Sequence, residues 1–331
     1  MRRIAVINQK GGVGKTTTAA NLGAALARLG RRVLLVDLDP QAHLSLHFGV
    51  ELKDGQPSVY DVLTAGLPIG EVLVSVRENI SLIPADIDLA GAEAELISVT
   101  GREVVLREAL AGIDGHYDIT LIDCPPSLGV LTINALCAAE EVLIPLQAHF
   151  FSLQGLSRLL DTVTLVRQRI NPAIRVAGLV LCMHDAATRL AGEVVEDLSR
   201  FLETARGTPV TWAEARLYDT CVRRNIKLAE SCSFGQTIFD YAPRSNGAAD
   251  YARLACEILG VDHHPEGSDD DDGAAPADRL EDSTAAAPAV PCKTRSPCEP
   301  AHPAGRARPP VDLGARGCVE SPNSVPEVAS P

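Results

Sequence analysis

Nowhere in its 331 residues does the chain string together the roughly 18 apolar residues that a membrane span requires. Met1-Arg2-Arg3 leads straight into a strand-like segment rather than a leader, so a soluble, cytoplasmic protein is expected. The nine cysteines are scattered singly, with no CxxC pair and no Cys/His ligand spacing. That pattern excludes a disulfide scaffold and a zinc module, and leaves the thiols as reduced packing residues. Basic charge is also scarce, since 30 Lys and Arg face 43 Asp and Glu for a net charge of -13. A protein coated in basic surface is thereby excluded, and any contact with nucleic acid must come from a local patch. No repeat of fixed period is present, which removes solenoids and propellers.

What is present is 46% hydrophobic residues, enough for one substantial core with an appendage. Arg3 to Asn8 is a short β-branched apolar run that stops at a glycine cluster, and Thr18 to Leu29 then places small and apolar residues at helical spacing. Gly30 ends that helix, and Arg32 to Asp37 is a continuous apolar run of the kind covered on both faces. Further strands are expected at 80–84, 118–123, 142–146 and 176–183, with helical patterns between most of them and an amphipathic helix over 153–170. The alternation predicts an α/β fold: a doubly wound, mostly parallel sheet flanked by helices, with Asp37 and Asp123 at strand ends where such folds bind ligands. The domain is expected to span residues 1–261. From 262 to 331 the chain becomes an acidic, Ala/Pro-rich tract with the run Asp269 to Asp272, a composition that predicts a disordered tail.

The segment Lys10-Gly11-Gly12-Val13-Gly14-Lys15-Thr16-Thr17 lies between the first strand and the first helix. A glycine-rich turn there lets backbone N–H groups close around phosphate oxygens, and the helix N-terminus adds its positive end. Lys15 stands where a P-loop lysine meets the β- and γ-phosphates, and Thr16 where a hydroxyl binds Mg²⁺. The general pattern wants glycine five residues before Gly14, whereas this chain has Gln9 there and a second lysine, Lys10, next to it.

Lys10 with the GGVGKTT that follows, DLDPQ at 37–41, LIDCPPS at 121–127, LREAL at 106–110 and NIKLAESCSFGQTI at 225–238 resemble the ParA/Soj/MinD group of deviant Walker P-loop ATPases over about residues 1 to 260. The resemblance implies ATP and Mg²⁺ as cofactors and an ATP sandwich between two subunits. Lys10 would reach across the homodimer to the partner's phosphates, as an arginine finger does. Asp39 would orient or deprotonate the attacking water, and Asp37 and Asp123 would sit near the Mg²⁺ shell with Thr16, Asp123 acting through water. Hydrolysis would be slow without a stimulating partner. Cys124, beside Asp123, reads as a packing residue.

Within the group, a MinD-like member would end in a basic amphipathic helix for the membrane, and this acidic, Pro-rich tail has none. Relatives of the nitrogenase iron protein need paired cysteines for a cluster, and the larger plasmid partition ATPases place a helix-turn-helix ahead of the P-loop strand. The small Soj-like class remains, whose dimer binds DNA non-specifically, with Arg223, Arg224, Lys227 and Arg244 as the candidate contacts. Family members commonly read Ile-Pro-Arg-Asn where this chain has Val222-Arg223-Arg224-Asn225. The implied function is chromosome or plasmid partitioning with a ParB-like activator, nucleoid-associated when ATP-bound. The alternatives are an ATPase that positions a protein assembly, such as a chemotaxis array or microcompartment, and a metabolic enzyme that uses ATP on the same fold.

Overall fold

The computed structural model describes residues 1–149, 152–185 and 189–263. The expected tail therefore lies, from residue 264 onward, outside the described residues. In chain order the elements are β1 (Arg2–Val6), α1 (Lys15–Arg28), β2 (Val33–Asp37), α2 (His43–His47), α3 (Val59–Thr64), α4 (Ile69–Val72), β3 (Val74–Arg77) and β4 (Ile80–Ile83). Then come α5 (Leu89–Leu96), α6 (Val105–Ala111), β5 (Ile119–Asp123), α7 (Val130–Ala138), β6 (Glu141–Leu146), α8 (Ser152–Arg169) and β7 (Arg175–His184). The chain continues through α9 (Arg189–Ala205), β8 (Arg216–Leu217), β9 (Val222–Arg223), α10 (Ile226–Ser233), α11 (Ile238–Tyr241) and α12 (Asn246–Leu259).

The strands form one sheet in the order β3-β4-β2-β5-β1-β6-β7-β8, with β9 beside β7. Every pairing is parallel except β3 with β4. β1, β2, β5 and β6 are buried almost throughout, which is why their sequences read as unbroken apolar runs rather than as alternating ones. Alternate residues still face opposite ways. Ala5 and Ile7 enter the core on one face, with residues of α3, α5, α7 and α8, while Ile4 and Val6 enter the core on the other, with residues of α1 and α12.

Two registers position the site. Val6, the last residue of β1, is opposite Asp123 of β5, and Asp123 is opposite Asp37 of β2. The chain leaves β1 for the glycine loop beside two carboxylates, at the point where successive connections depart to opposite sides of β1. That is the switch point at which open α/β sheets bind ligands.

Candidate functional site

The loop is fixed at its start by Asn8, whose side-chain amide donates to the Pro145 carbonyl at 2.7 Å and whose Oδ1 accepts from the Lys10 amide at 3.0 Å. Gly12 and Gly14 lie in the left-handed region, with φ of 73° and 94°. These two positions require glycine on backbone grounds. Gly14 is the N-cap of α1, which opens with no side-chain cap and no acidic residue in its first turn. Its first amides are therefore available donors at the positive end of a helix.

Lys15 is 7% exposed, and among the described residues its ammonium makes no hydrogen bond or ion pair. A buried cation held without a counter-ion bond is prepared for an anion. Thr16 and Thr17 are half-buried at the start of α1. Val13 is buried under the loop, and the Gly12 carbonyl accepts from the Gln147 side chain at 3.2 Å. Beneath the helix start, the Thr18 hydroxyl shares a hydrogen bond with Tyr251 at 3.2 Å.

The two register-paired carboxylates differ sharply. Asp37 is fully buried, and its oxygens accept from the Ser45 amide at 2.9 Å, the Ser45 hydroxyl at 2.8 Å and the Asp39 amide at 3.2 Å. Burial nevertheless outweighs those donors and pushes its pKa up to about 6. Asp123 is also fully buried, and neither oxygen has a hydrogen bond of standard geometry. Burial, then the charge of Asp37, holds it well above the carboxylate range, while the Thr16 hydroxyl and the Lys15 ammonium pull the other way. An orphaned buried carboxylate beside a threonine hydroxyl suits a divalent cation, which supplies the charge the protein withholds. Among the described residues no group of three or more His, Cys, Asp or Glu forms a cage of its own. Any Mg²⁺ held here must complete its shell with phosphate and water, as that ion commonly does.

Asp39 is half-buried just past β2, with Oδ1 accepting from the Gln41 amide at 3.0 Å. Lys10 is exposed and makes no side-chain bond among the described residues. It borders a cavity of about 350 Å³ whose wall includes Val13, Leu146, Gln147 and Leu156. Cys124 is buried, and burial raises its thiol pKa well above the usual value, so it is an inert packing group.

The basic candidates fall into two kinds. Arg223 is gripped by fully buried Asp250, with Nη2 at 2.7 Å from Oδ1, and Arg253 binds the same carboxylate. Lys227 pairs with Glu230 at 2.8 Å and lies over the Tyr241 ring at 5.6 Å. Arg224 and Arg244 are exposed and have no side-chain hydrogen bond or ion pair among the described residues. Sequence reasoning missed Ser45, which holds Asp37, and Asp250, which holds Arg223. Neither sits in a motif, and their contacts cross 8 and 27 residues of chain.

Loop, helix and paired carboxylates at a switch point define a P-loop nucleotide-binding protein whose phosphate loop carries an additional leading lysine. A family profile described as an AAA domain matches residues 1–176. Over 256 residues the chain is 45% identical to the sporulation initiation inhibitor protein Soj of Bacillus subtilis, covering 77% of this chain and 97% of that protein. It is 48% identical over 259 residues to the chromosome-partitioning ATPase Soj of Thermus thermophilus, covering 78% and 96%. The crystal structure of cobyrinic acid a,c-diamide synthase from Mycobacterium smegmatis, with bound ADP and magnesium, matches with a TM-score of 0.66 and 38% identity, over 78% of this chain and 94% of that one. The chain belongs to the ParA/Soj family of P-loop ATPases within the MinD/ParA superfamily.

Proposed function

We propose that this protein is a nucleotide-driven switch: it binds ATP with Mg²⁺, pairs with a second copy around the nucleotide, and in that state holds DNA without reading its sequence. The observation that carries the reading is the pairing of unsatisfied groups at one sheet edge. Among the described residues Lys15 makes no hydrogen bond or ion pair and Asp123 accepts no hydrogen bond of standard geometry, and Lys10 stands exposed at the loop's rim.

Each group has a task in phosphoryl transfer. The amides of Gly12 to Thr16 cradle phosphate oxygens, and Lys15 neutralises the β- and γ-phosphates. Thr16 would hold Mg²⁺, with Asp37 and Asp123 in its surroundings, and the ion would supply positive charge to the phosphates. Ser45 keeps Asp37 in place, and Asp39 orients the attacking water with the oxygen its turn leaves free. Lys10 contributes positive charge to the partner's nucleotide, so turnover requires the homodimer. A ParB-like protein would accelerate a slow intrinsic rate and release the DNA, the cycle of chromosome or plasmid partitioning on the nucleoid.

For the DNA surface, Arg224 and Arg244 offer guanidinium groups that have no side-chain partner among the described residues, whereas Arg223 and Lys227 would have to share theirs. Contacts of this kind go to backbone phosphates, so affinity falls with salt and ignores sequence.

The test is binding to a random-sequence duplex at low salt with ATP, ADP or no nucleotide, for the wild type and for Lys15→Ala and Arg224→Ala. Binding that needs ATP, survives scrambling and is lost in both variants is the expected result. No binding in any state would remove DNA from the function. ADP release that depended on a small substrate and was indifferent to DNA would point instead to a metabolic enzyme.

A further inference from the structure

Helix α5 and the short segment that leads into it touch the surroundings of both carboxylates. Ahead of it, the Ala85 amide donates to the Ser45 hydroxyl at 3.1 Å, the same hydroxyl that donates to Asp37. Within it, Glu93 turns its carboxylate to Gly129, the N-cap of α7 and the end of the segment that leaves Asp123. A Cβ placed on Gly129 would lie 1.9 Å from Glu93 Oε1 and 2.9 Å from its Cδ.

The glycine is not demanded by backbone torsion. Gly129 has φ of -76° and ψ of -171°, an extended conformation open to any residue. A Cβ there would instead force the Glu93 carboxylate, the end of a flexible side chain, to turn aside. That contact is chemically incomplete, because Glu93 Oε1 is buried and has no hydrogen-bond partner among the described residues. The opposing helix end is incomplete too, since α7 has neither a side-chain cap nor an acidic residue in its first turn. An acceptor without a donor thus abuts donors without an acceptor, at the helix end where negative charge is favoured. A small rotation of the Cys124–Gly129 segment would join them.

We propose that Glu93 is a positioning residue for the hydrolytic site: it caps α7 through the Val130 or Leu131 amide when the Cys124–Gly129 segment seats on nucleotide, and the chain from Ala85 through α5 ties that movement, by way of Ser45, to Asp37. This rests on the ATP-hydrolysing reading above. The charge of Glu93 matters in the seated state, and Gly129 keeps the approach open.

The experiment uses the full chain as wild type, Glu93→Gln, Glu93→Ala, Gly129→Ala and the double variant Glu93→Ala/Gly129→Ala. Three readouts are taken: ATP turnover, thermal melting, and hydrogen exchange of residues 124–131 with and without a non-hydrolysable ATP analogue and Mg²⁺. Glu93→Gln is expected to melt like the wild type and keep KM, to lower kcat about tenfold, and to lose analogue-induced protection of 124–131, the worth of a charge-assisted hydrogen bond made only in the seated state. Gly129→Ala, which turns the carboxylate aside, should lower kcat with little change in melting temperature, and adding Glu93→Ala should lower kcat no further. Wild-type kcat and wild-type protection in Glu93→Gln would overturn the proposal and leave Glu93 as packing. A wild type that is protected by the analogue but does not turn over ATP would remove the hydrolytic reading, while the exchange comparison would still decide the role of Glu93.

Discussion

Replacing Asp123 with Asn should make the nucleotide-free protein more stable, although the residue is buried and polar. The wild-type carboxylate is fully buried, has no hydrogen bond of standard geometry on either oxygen among the described residues, and faces the charges of Asp37 and Asp39. Thr16 and Lys15 oppose these effects, but the net displacement of its pKa is upward, so desolvation and repulsion win. Leaving such a group unsatisfied costs roughly 1–3 kcal/mol, and Asn keeps the shape while removing the charge. The expected gain is about 1–2 kcal/mol, read as a higher urea midpoint with unchanged slope at neutral pH in the presence of a chelator. The same substitution should abolish most of the further stabilisation that Mg²⁺ and ATP give the wild type if, as proposed, the carboxylate lies beside the ion. A nucleotide-free Asp123→Asn protein less stable than the wild type would refute the reasoning, since it would mean that the carboxylate is satisfied after all.

His47 is buried with its Nε2 unpartnered, and burial lowers its pKa from 6.5 to about 4 against a weaker upward pull from the Gln236 backbone. Below pH 6.5 the unfolded chain takes up a proton that the folded chain refuses. Stability should therefore fall by about 3 kcal/mol between pH 6.5 and 4, and His47→Gln should flatten that part of a pH series of urea titrations. Arg223→Ala should lower stability by about 1–3 kcal/mol, because it strips fully buried Asp250 of a partner. Arg224→Ala should change stability by less than about 0.5 kcal/mol while weakening DNA binding and flattening its salt dependence, as paired urea and anisotropy titrations will tell. Gly14→Ala should cost about 1–2 kcal/mol from its φ of 94° alone and should abolish ATP binding in calorimetry.

The central strands were legible because parallel strands buried on both faces leave an unmistakable apolar run. Their ends were less so. β1 was expected to reach Asn8 but stops at Val6, since Ile7 and Asn8 leave the β5 ladder to build the loop entrance. α1 was expected from Thr18 but starts at Lys15, because the left-handed Gly14, not the apolar spacing, begins the helix. β3 escaped notice as a half-exposed antiparallel edge strand with a register shift, and β8 and β9 are two residues each, too short for any period. The placement of the loop lysines and of Asp37, Asp39 and Asp123 at the strand ends could be read directly, since strand, turn and helix follow one another in sequence. The exchange of partners could not. That Arg223 is held by Asp250, or that Gly129 makes room for Glu93, depends on side chains brought together from 27 and 36 residues away, and no local pattern encodes it.

β1, finally, has a parallel neighbour along each edge, β5 on one side and β6 on the other. A strand laddered on both edges cannot slide past one neighbour without breaking its bonds to the other. The phosphate loop is therefore mounted on a strand held from both sides, in the interior of the sheet. Any difference between one nucleotide state and the next has to be expressed in the segments that leave the strands: the turn after Asp37, the stretch from Cys124 to Gly129 and the residues around Gln147. Such a molecule signals sideways along one rim and keeps its interior silent, so a second subunit seated on that rim would sense the change before the far end of its own fold did.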